Sequence, residues 1–195
     1  MTTKLDGGLR GVDHVAYVTR NPKETLHFYR DVLGFPLVHC IVAPGWGKDP
    51  HPDFLHFFFD IGNGAKLAFF YYLAEPGVLD GDLGAGTDIL PKARHLAMLV
   101  DTEEELDGYE RRLVEGGYPL RHRVMHELIE SIYVWDPNGY NIEISRQLRE
   151  PDATDAADAE FSLQALTDVL DETERPTIGA LWQRKGELIL AAGEE

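Results

Sequence analysis

The sequence predicts an α+β protein built from two tandem βαβββ modules and followed by a C-terminal helical extension. Three observations predict it: a segment that recurs 81 residues along the chain, a strand-helix-turn-hairpin order shared by both copies, and a change of composition after residue 147. A repeat is sought first because missing one misassigns the whole fold.

The first strand of each copy starts near a histidine. Val12-Asp-His14-Val-Ala-Tyr-Val18 lines up with Ala93-Arg-His95-Leu-Ala-Met-Leu99. Asn21-Pro22 and Asp101-Thr102 then open the helices. Thr102 with Glu105 makes a capping box, whose hydroxyl and carboxylate satisfy free N–H groups of the first turn. Leu106, Tyr109, Leu113 and Val114 form an apolar stripe, as do Leu26, Phe28, Tyr29, Val32 and Leu33 in the first copy. Gly34 and Gly116-Gly117 supply helix-ending residues with positive φ, and Gly34-Phe-Pro-Leu37 matches Gly117-Tyr-Pro-Leu120.

A hairpin closes each copy. Aligned on its aspartates, Phe57-Phe-Phe-Asp60 sits over Tyr133-Val-Trp-Asp136 at an offset of 76, and the following strands match at 75, which sets Ala68 against Glu143. This places His56 opposite Ile132, on the other strand face from Phe57 and Tyr133, as a wall residue. Module one is expected over 9–74, a linker over 75–92 and module two over 93–147. Residues 148–160 read as an acidic linker too polar to build a core. Two amphipathic helices parted at Arg175-Pro176 are expected within 161–195.

The chain has 195 residues, 18 Lys+Arg against 34 Asp+Glu, and a formal charge of −16. Such an excess repels a phosphate backbone or an anionic bilayer, so nucleic acid and membrane are not expected as partners. The longest apolar run, Leu67 to Ala74, is far short of the ~20 residues a membrane helix needs. The start of the chain carries no apolar signal core and the single Cys40 forms no internal disulfide, which together suggest the cytoplasm.

His14 and His95 occupy matching strand positions, and Glu143 stands between Ile142 and Ile144 where the first copy has Ala68. Each alone reads as an ordinary strand polar residue. Together, two imidazoles and one carboxylate suit a divalent first-row metal and leave positions open for substrate and oxygen. A closed zinc site would want four ligands, usually with thiolates.

On these segments the chain resembles the vicinal oxygen chelate superfamily, which includes glyoxalases, bleomycin- and fosfomycin-resistance proteins, an epimerase and extradiol dioxygenases. The resemblance implies a metal-binding cup built from both modules. Val124-Met-His126, then Ile132-Tyr133, Asp136-Pro137-Asn-Gly139 and Glu143 are similar to the extradiol dioxygenase signature. Carried over, this makes His14, His95 and Glu143 the metal ligands and His126 and Tyr133 catalytic residues beside a substrate-oxygen complex. It implies Fe(II), or Mn(II) or another divalent metal, a small aromatic diol and dioxygen as partners, and a homodimer. Taken alone, Tyr133 reads equally as a barrel-filling aromatic and His126 as a solvated loop residue.

The chain departs from that pattern in module one, where Ala65 and Lys66 stand near the place of a further acid-base histidine. The alternative readings are a metal-dependent glyoxalase, isomerase or transferase, or a binding protein without turnover. Against the first, Ala68 cannot be the fourth ligand that glyoxalases use. Lys66 and Arg94 are the strand cations expected near the site. Phe54, Phe57, Phe58, Phe59, Phe69, Phe70, Tyr71, Tyr72 and Trp135 are expected on strands, half of them lining the cup, and Trp46 is a candidate for its mouth.

Overall fold

A computed structural model describes residues 11–45, 52–73, 79–80, 83 and 89–193. Trp46 and most of the 75–92 linker lie outside the described residues. The chain divides into two compact units, 1–148 and 149–195.

The first unit contains both modules. β1 (His14–Val18), α1 (Pro22–Leu26), β2 (Leu37–Ala43), β3 (Phe54–Asp60) and β4 (Lys66–Tyr72) form one. After a short helix α2 (Ile89–Ala93), β5 (His95–Val100), α3 (Glu103–Glu115), β6 (His122–Met125), β7 (Ile129–Trp135) and β8 (Asn141–Gln147) form the other. The two sheets run β1-β4-β3-β2 and β5-β8-β7-β6. In each, the first strand pairs in parallel with the last, so each module repeats the other's topology.

Local chemistry sets the helices. Asn21 caps α1 by accepting from the Glu24 amide, and Pro22 fits the first helical position. The predicted apolar stripe continues past Leu26 as a π-helical turn, His27–Val32, in which the Leu33 amide reaches Phe28 O at 2.9 Å. The wider turn lets Phe28, Tyr29, Val32 and Leu33 all bury. The Thr102–Glu105 capping box is present at the start of α3. Leu106 and Leu113 are fully buried, but Val114, placed in the same stripe by its spacing, is 57 % exposed. Gly34 and Gly117 take positive φ, whereas Gly116 is helical and lies so close to Val32 that a Cβ there would meet it at 2.8 Å.

The core lies between the two modules. Phe28, Tyr29, Phe57, Phe59, Leu67 and Phe69 of the first meet Met98, Leu106, Leu113, Ile132, Val134 and Ile142 of the second. A buried polar network joins the same surfaces. Asp136, 4 % exposed, accepts from Tyr29 Oη at 3.0 Å and from the Asn138 and Tyr140 amides at 2.8 Å. Burial raises the Asp136 carboxyl above its ordinary range. Tyr140 donates to Val18 O at 3.0 Å and stacks on Tyr17.

The ladders correct the hairpin alignment. Phe58 pairs with Ala68 and Tyr133 pairs with Glu143, so both hairpin strands are related by 75 residues. Asp60 is the last residue of β3, whereas Asp136 is the first of its turn, and matching one to the other slipped one strand by a residue. A one-residue slip moves every side chain to the other face. His56 therefore stands in the place of Ser131, on the face that carries His14, and Phe58 is the counterpart of Tyr133.

In the second unit α4 (Ala153–Glu172) and α5 (Ile178–Ala192) are parted at the expected place. Helix α4 starts inside the stretch read as an acidic linker. Asp152 accepts from the Thr154 and Asp155 amides, while Asp155 returns a bond to the Asp152 amide and pairs with Arg149. Acidic residues near a helix N-terminus also suit its dipole. The two helices are tied by Lys185–Asp158, at 2.6 Å, and by Arg184 with Asp168 and Glu172.

Candidate metal centre

Strand alternation gives each sheet a face turned from the shared core. In the second module that face carries His95, Tyr133, Ser131 and Glu143. The run of apolar residues around Glu143 forms a central strand, which buries the carboxylate to 2 % exposure. His95 Nε2 lies 2.9 Å from Glu143 Oε2, and Ser131 Oγ donates to Oε1 at 2.5 Å.

The tautomers follow from the partners. His95 Nδ1 faces Ala93 O at 3.0 Å, and a carbonyl only accepts, so Nδ1 carries a proton. Nε2 then faces the carboxylate oxygen, an arrangement that requires a proton or another cation between them. His14 follows the same logic, with Nδ1 2.7 Å from Asp13 Oδ1. Both imidazoles are oriented through Nδ1 and offer Nε2, as metal-binding histidines do when a carbonyl or carboxylate holds the other nitrogen. With one buried carboxylate, this donor set fits a divalent first-row metal.

The structure brings His95 and Glu143 together but not His14. His14 lies on β1, with Lys66 as its register partner and its ring set edge-on to Phe58 with the ring centres 5.7 Å apart. Among the described residues, no three His, Cys, Asp or Glu side chains gather as a metal-holding group.

Tyr133 sits over this centre. Its ring is perpendicular to His95 at 6.0 Å and its Oη lies 3.5 Å from His126 Nε2. Burial first, and then the Glu143 carboxylate, push the Tyr133 phenol above its ordinary value. His126 is exposed in the turn between β6 and β7, where its amide donates to Ile129 O.

Three neighbours escaped the sequence reading. His122 pairs with Tyr133 across β6 and β7 and stacks on it at 4.6 Å. Ser131 holds Glu143. Arg121 lies 4.2 Å from the Trp135 ring centre. The signal was the strand after Gly117-Tyr-Pro-Leu120, whose alternation puts His122 on the Tyr133 face.

The first module's matching face is aromatic. Phe54, Phe58, Phe70 and Tyr72 lie on it, as half of the sequence's aromatics were expected to do. His56 belongs with them: it stacks on Phe70 at 3.6 Å, approaches Phe69 O through Nδ1 at 3.1 Å, and has its pKa lowered by burial. Of the expected cations, Lys66 is engaged with Asp13 at 3.6 Å and Gly64 O at 3.1 Å.

Comparison with known proteins agrees with this architecture. The chain is 28% identical over 155 residues to a protein from Rhodococcus jostii (strain RHA1) named an iron-dependent extradiol dioxygenase, covering 75% of this chain and 46% of that one. The chain thus spans about half the length of that relative. A glyoxylase/bleomycin resistance protein/dioxygenase domain from Frankia sp. EAN1pec shares the fold, with a TM-score of 0.53, 18% identity and coverage of 71% of this chain and 98% of the other. So does a putative dioxygenase from Bacillus subtilis subsp. subtilis str. 168, with a TM-score of 0.51, 22% identity and coverage of 72% and 41%. Residues 11–144 match a single family across both modules, and the chain belongs to the Glyoxalase/Bleomycin resistance protein/Dioxygenase superfamily.

Proposed function

We propose that the chain is an Fe(II)-dependent extradiol-type dioxygenase acting on a catechol-like aromatic diol, and that it works as a homodimer. The observation that carries this is one face of one sheet, where Tyr133 neighbours the His95–Glu143 pair and His126 reaches the Tyr133 hydroxyl. The name of the Rhodococcus relative supports the reaction and the metal. In this reading the partner subunit's His14 joins His95 and Glu143. Two features support such an assembly: both ligand faces turn from the shared core, and among the described strands β1 and β5 are edge strands, paired on one side only, with β4 and β8.

Fe(II), when bound, would supply open positions for the two diol oxygens and for dioxygen, together with the one-electron chemistry that dioxygen requires. The residues of the chain do the rest. Glu143 would hold the metal and balance its charge, its carboxylate oriented by the Ser131 hydroxyl. A diol bound there would give up protons, and Tyr133 and His126 would hold or pass them. A raised phenol pKa keeps Tyr133 protonated near neutrality, so it enters as a donor. His122 stacks behind that ring and orients it. The aromatic face of the first module supplies a wall for the flat ring and excludes water from it.

The test is anaerobic reconstitution with Fe(II), then catechols, then air. A coloured ring-cleavage product that needs oxygen is expected. Oxygen-independent turnover of a thiohemiacetal or thioester would overturn the reading.

A further inference from the structure

With 34 acidic residues against 18 basic ones, several arginines of the module unit find carboxylates, while Arg20 and Arg112 donate to the Leu79 and Leu33 carbonyls. Arg123 meets Asp107, Glu110 and Glu130, Arg146 meets Glu103 and Glu130, and Arg30 meets Asp31. Arg121 does not. Its guanidinium lies 4.2 Å from the Trp135 ring centre and its Nη1 donates to Asn141 Oδ1 at 2.7 Å, and among the described residues no carboxylate pairs with it.

This cation is held in place. Asn141 is 4 % exposed, and its Nδ2 donates to Lys92 O at 2.8 Å. Stacking on the indole fixes the guanidinium plane. The Nε–Nη2 edge, the side that accepts a carboxylate through two parallel bonds, has no partner among the described residues.

Its position relates it to the metal centre. Trp135 pairs with Asn141 and Tyr133 with Glu143, so Arg121 is anchored two residues along the strand from the ligand carboxylate and on the same face. Two residues of strand span about 7 Å, the scale of one benzene ring with a substituent. Arg121 is also among the charges acting on the Tyr133 phenol.

We infer that Arg121 is a substrate-recognition residue, and that the natural ligand is an aromatic diol carrying a carboxylate on its ring or a short side arm. The diol rests on the proposed function, but the carboxylate rests on Arg121 alone. In a strongly acidic protein an isolated cation also draws an anionic ligand to one side of the site and sets its orientation there.

The test is a tryptophan-fluorescence titration of the anaerobic protein with 3,4-dihydroxybenzoate and with catechol, with ring cleavage followed on the same samples. The carboxylate is expected to bind about tenfold more tightly, an advantage lost in Arg121→Gln and partly kept in Arg121→Lys, which retains charge without the fork. Equal affinities, no measurable binding of the carboxylate, or an advantage that survives Arg121→Gln would overturn the inference. Ring cleavage without the carboxylate advantage defeats this inference alone. The advantage without ring cleavage defeats the dioxygenase reading alone.

Discussion

The two modules share one topology, yet their matching faces have diverged position by position. His14 answers to His95, but Lys66 answers to Asn141, Ala68 to Glu143, Phe58 to Tyr133 and His56 to Ser131. The second sheet holds the His95–Glu143 pair, and the first sets its histidines, His14 and His56 among them, in an aromatic wall. In the proposed reading, the duplicated fold divides a site into a reacting half and a shaping half without altering its backbone plan.

The largest expected effect comes from erasing that difference at its centre. Glu143→Ala makes the second sheet resemble the first at Ala68 and is expected to abolish metal retention, measured as Fe(II) content after anaerobic gel filtration. Unchanged metal content would remove the triad assignment. Next, Tyr133→Phe copies Phe58 onto the second sheet, and His126→Ala removes its neighbour. Each is expected to lower kcat about 100-fold while metal content holds, the range typical of lost proton-transfer groups.

A third comparison concerns the turn aspartates. Asp136 is buried and takes hydrogen bonds from Tyr29, Asn138 and Tyr140, whereas Asp60 is exposed and, among the described residues, its side chain accepts only from the Gly62 amide. Asp136→Ala is expected to cost about 3 kcal/mol in urea unfolding, because buried donors lose their acceptor. Asp60→Ala is expected to stay within about 1 kcal/mol, as surface changes do. Equal losses would show that the Asp136 network does not fasten the modules.

The smallest effect concerns His56 and its counterpart Ser131. Burial lowers the His56 pKa from 6.5, so the unfolded chain takes up the proton first. The stability contributed by neutral His56 is present above pH 6.5 and is lost as pH falls through the folded value. Urea midpoints of the wild type should fall faster than those of His56→Ser as pH drops below 6.5. Parallel pH profiles would contradict the assignment.

The repeat made the fold legible. Two histidines, two Gly-aromatic-Pro-Leu turns and two hairpins in one order place all eight strands, because each residue pattern has a local cause. The register of the first hairpin was not legible, since Asp60 and Asp136 look equivalent in sequence and differ only in which side of the strand end they occupy. His95 and Glu143 were legible as a pair because a carboxylate among isoleucines needs a reason. The separation of His14 from them was not, because which module faces pack together depends on the summed burial of Phe28, Tyr29, Leu106 and Leu113 rather than on any motif. Arg121 was missed for a similar reason: its place on Trp135 and Asn141, two strand positions from Glu143, is set by tertiary contacts rather than by any motif.

The central claim is a three-ligand centre shared between subunits, and mixing inactive variants tests it most directly. His14→Ala and Glu143→Ala proteins each lack a complete set of ligands. In a mixed dimer, one site draws an intact His14 from one chain and an intact Glu143 from the other. Unfolding and refolding the two variants together should restore metal binding and turnover to about one quarter of the wild type, the statistical yield of intact sites in a two-fold dimer. A mixture as inactive as its parents, beside a wild-type control refolded to full activity, would contradict it.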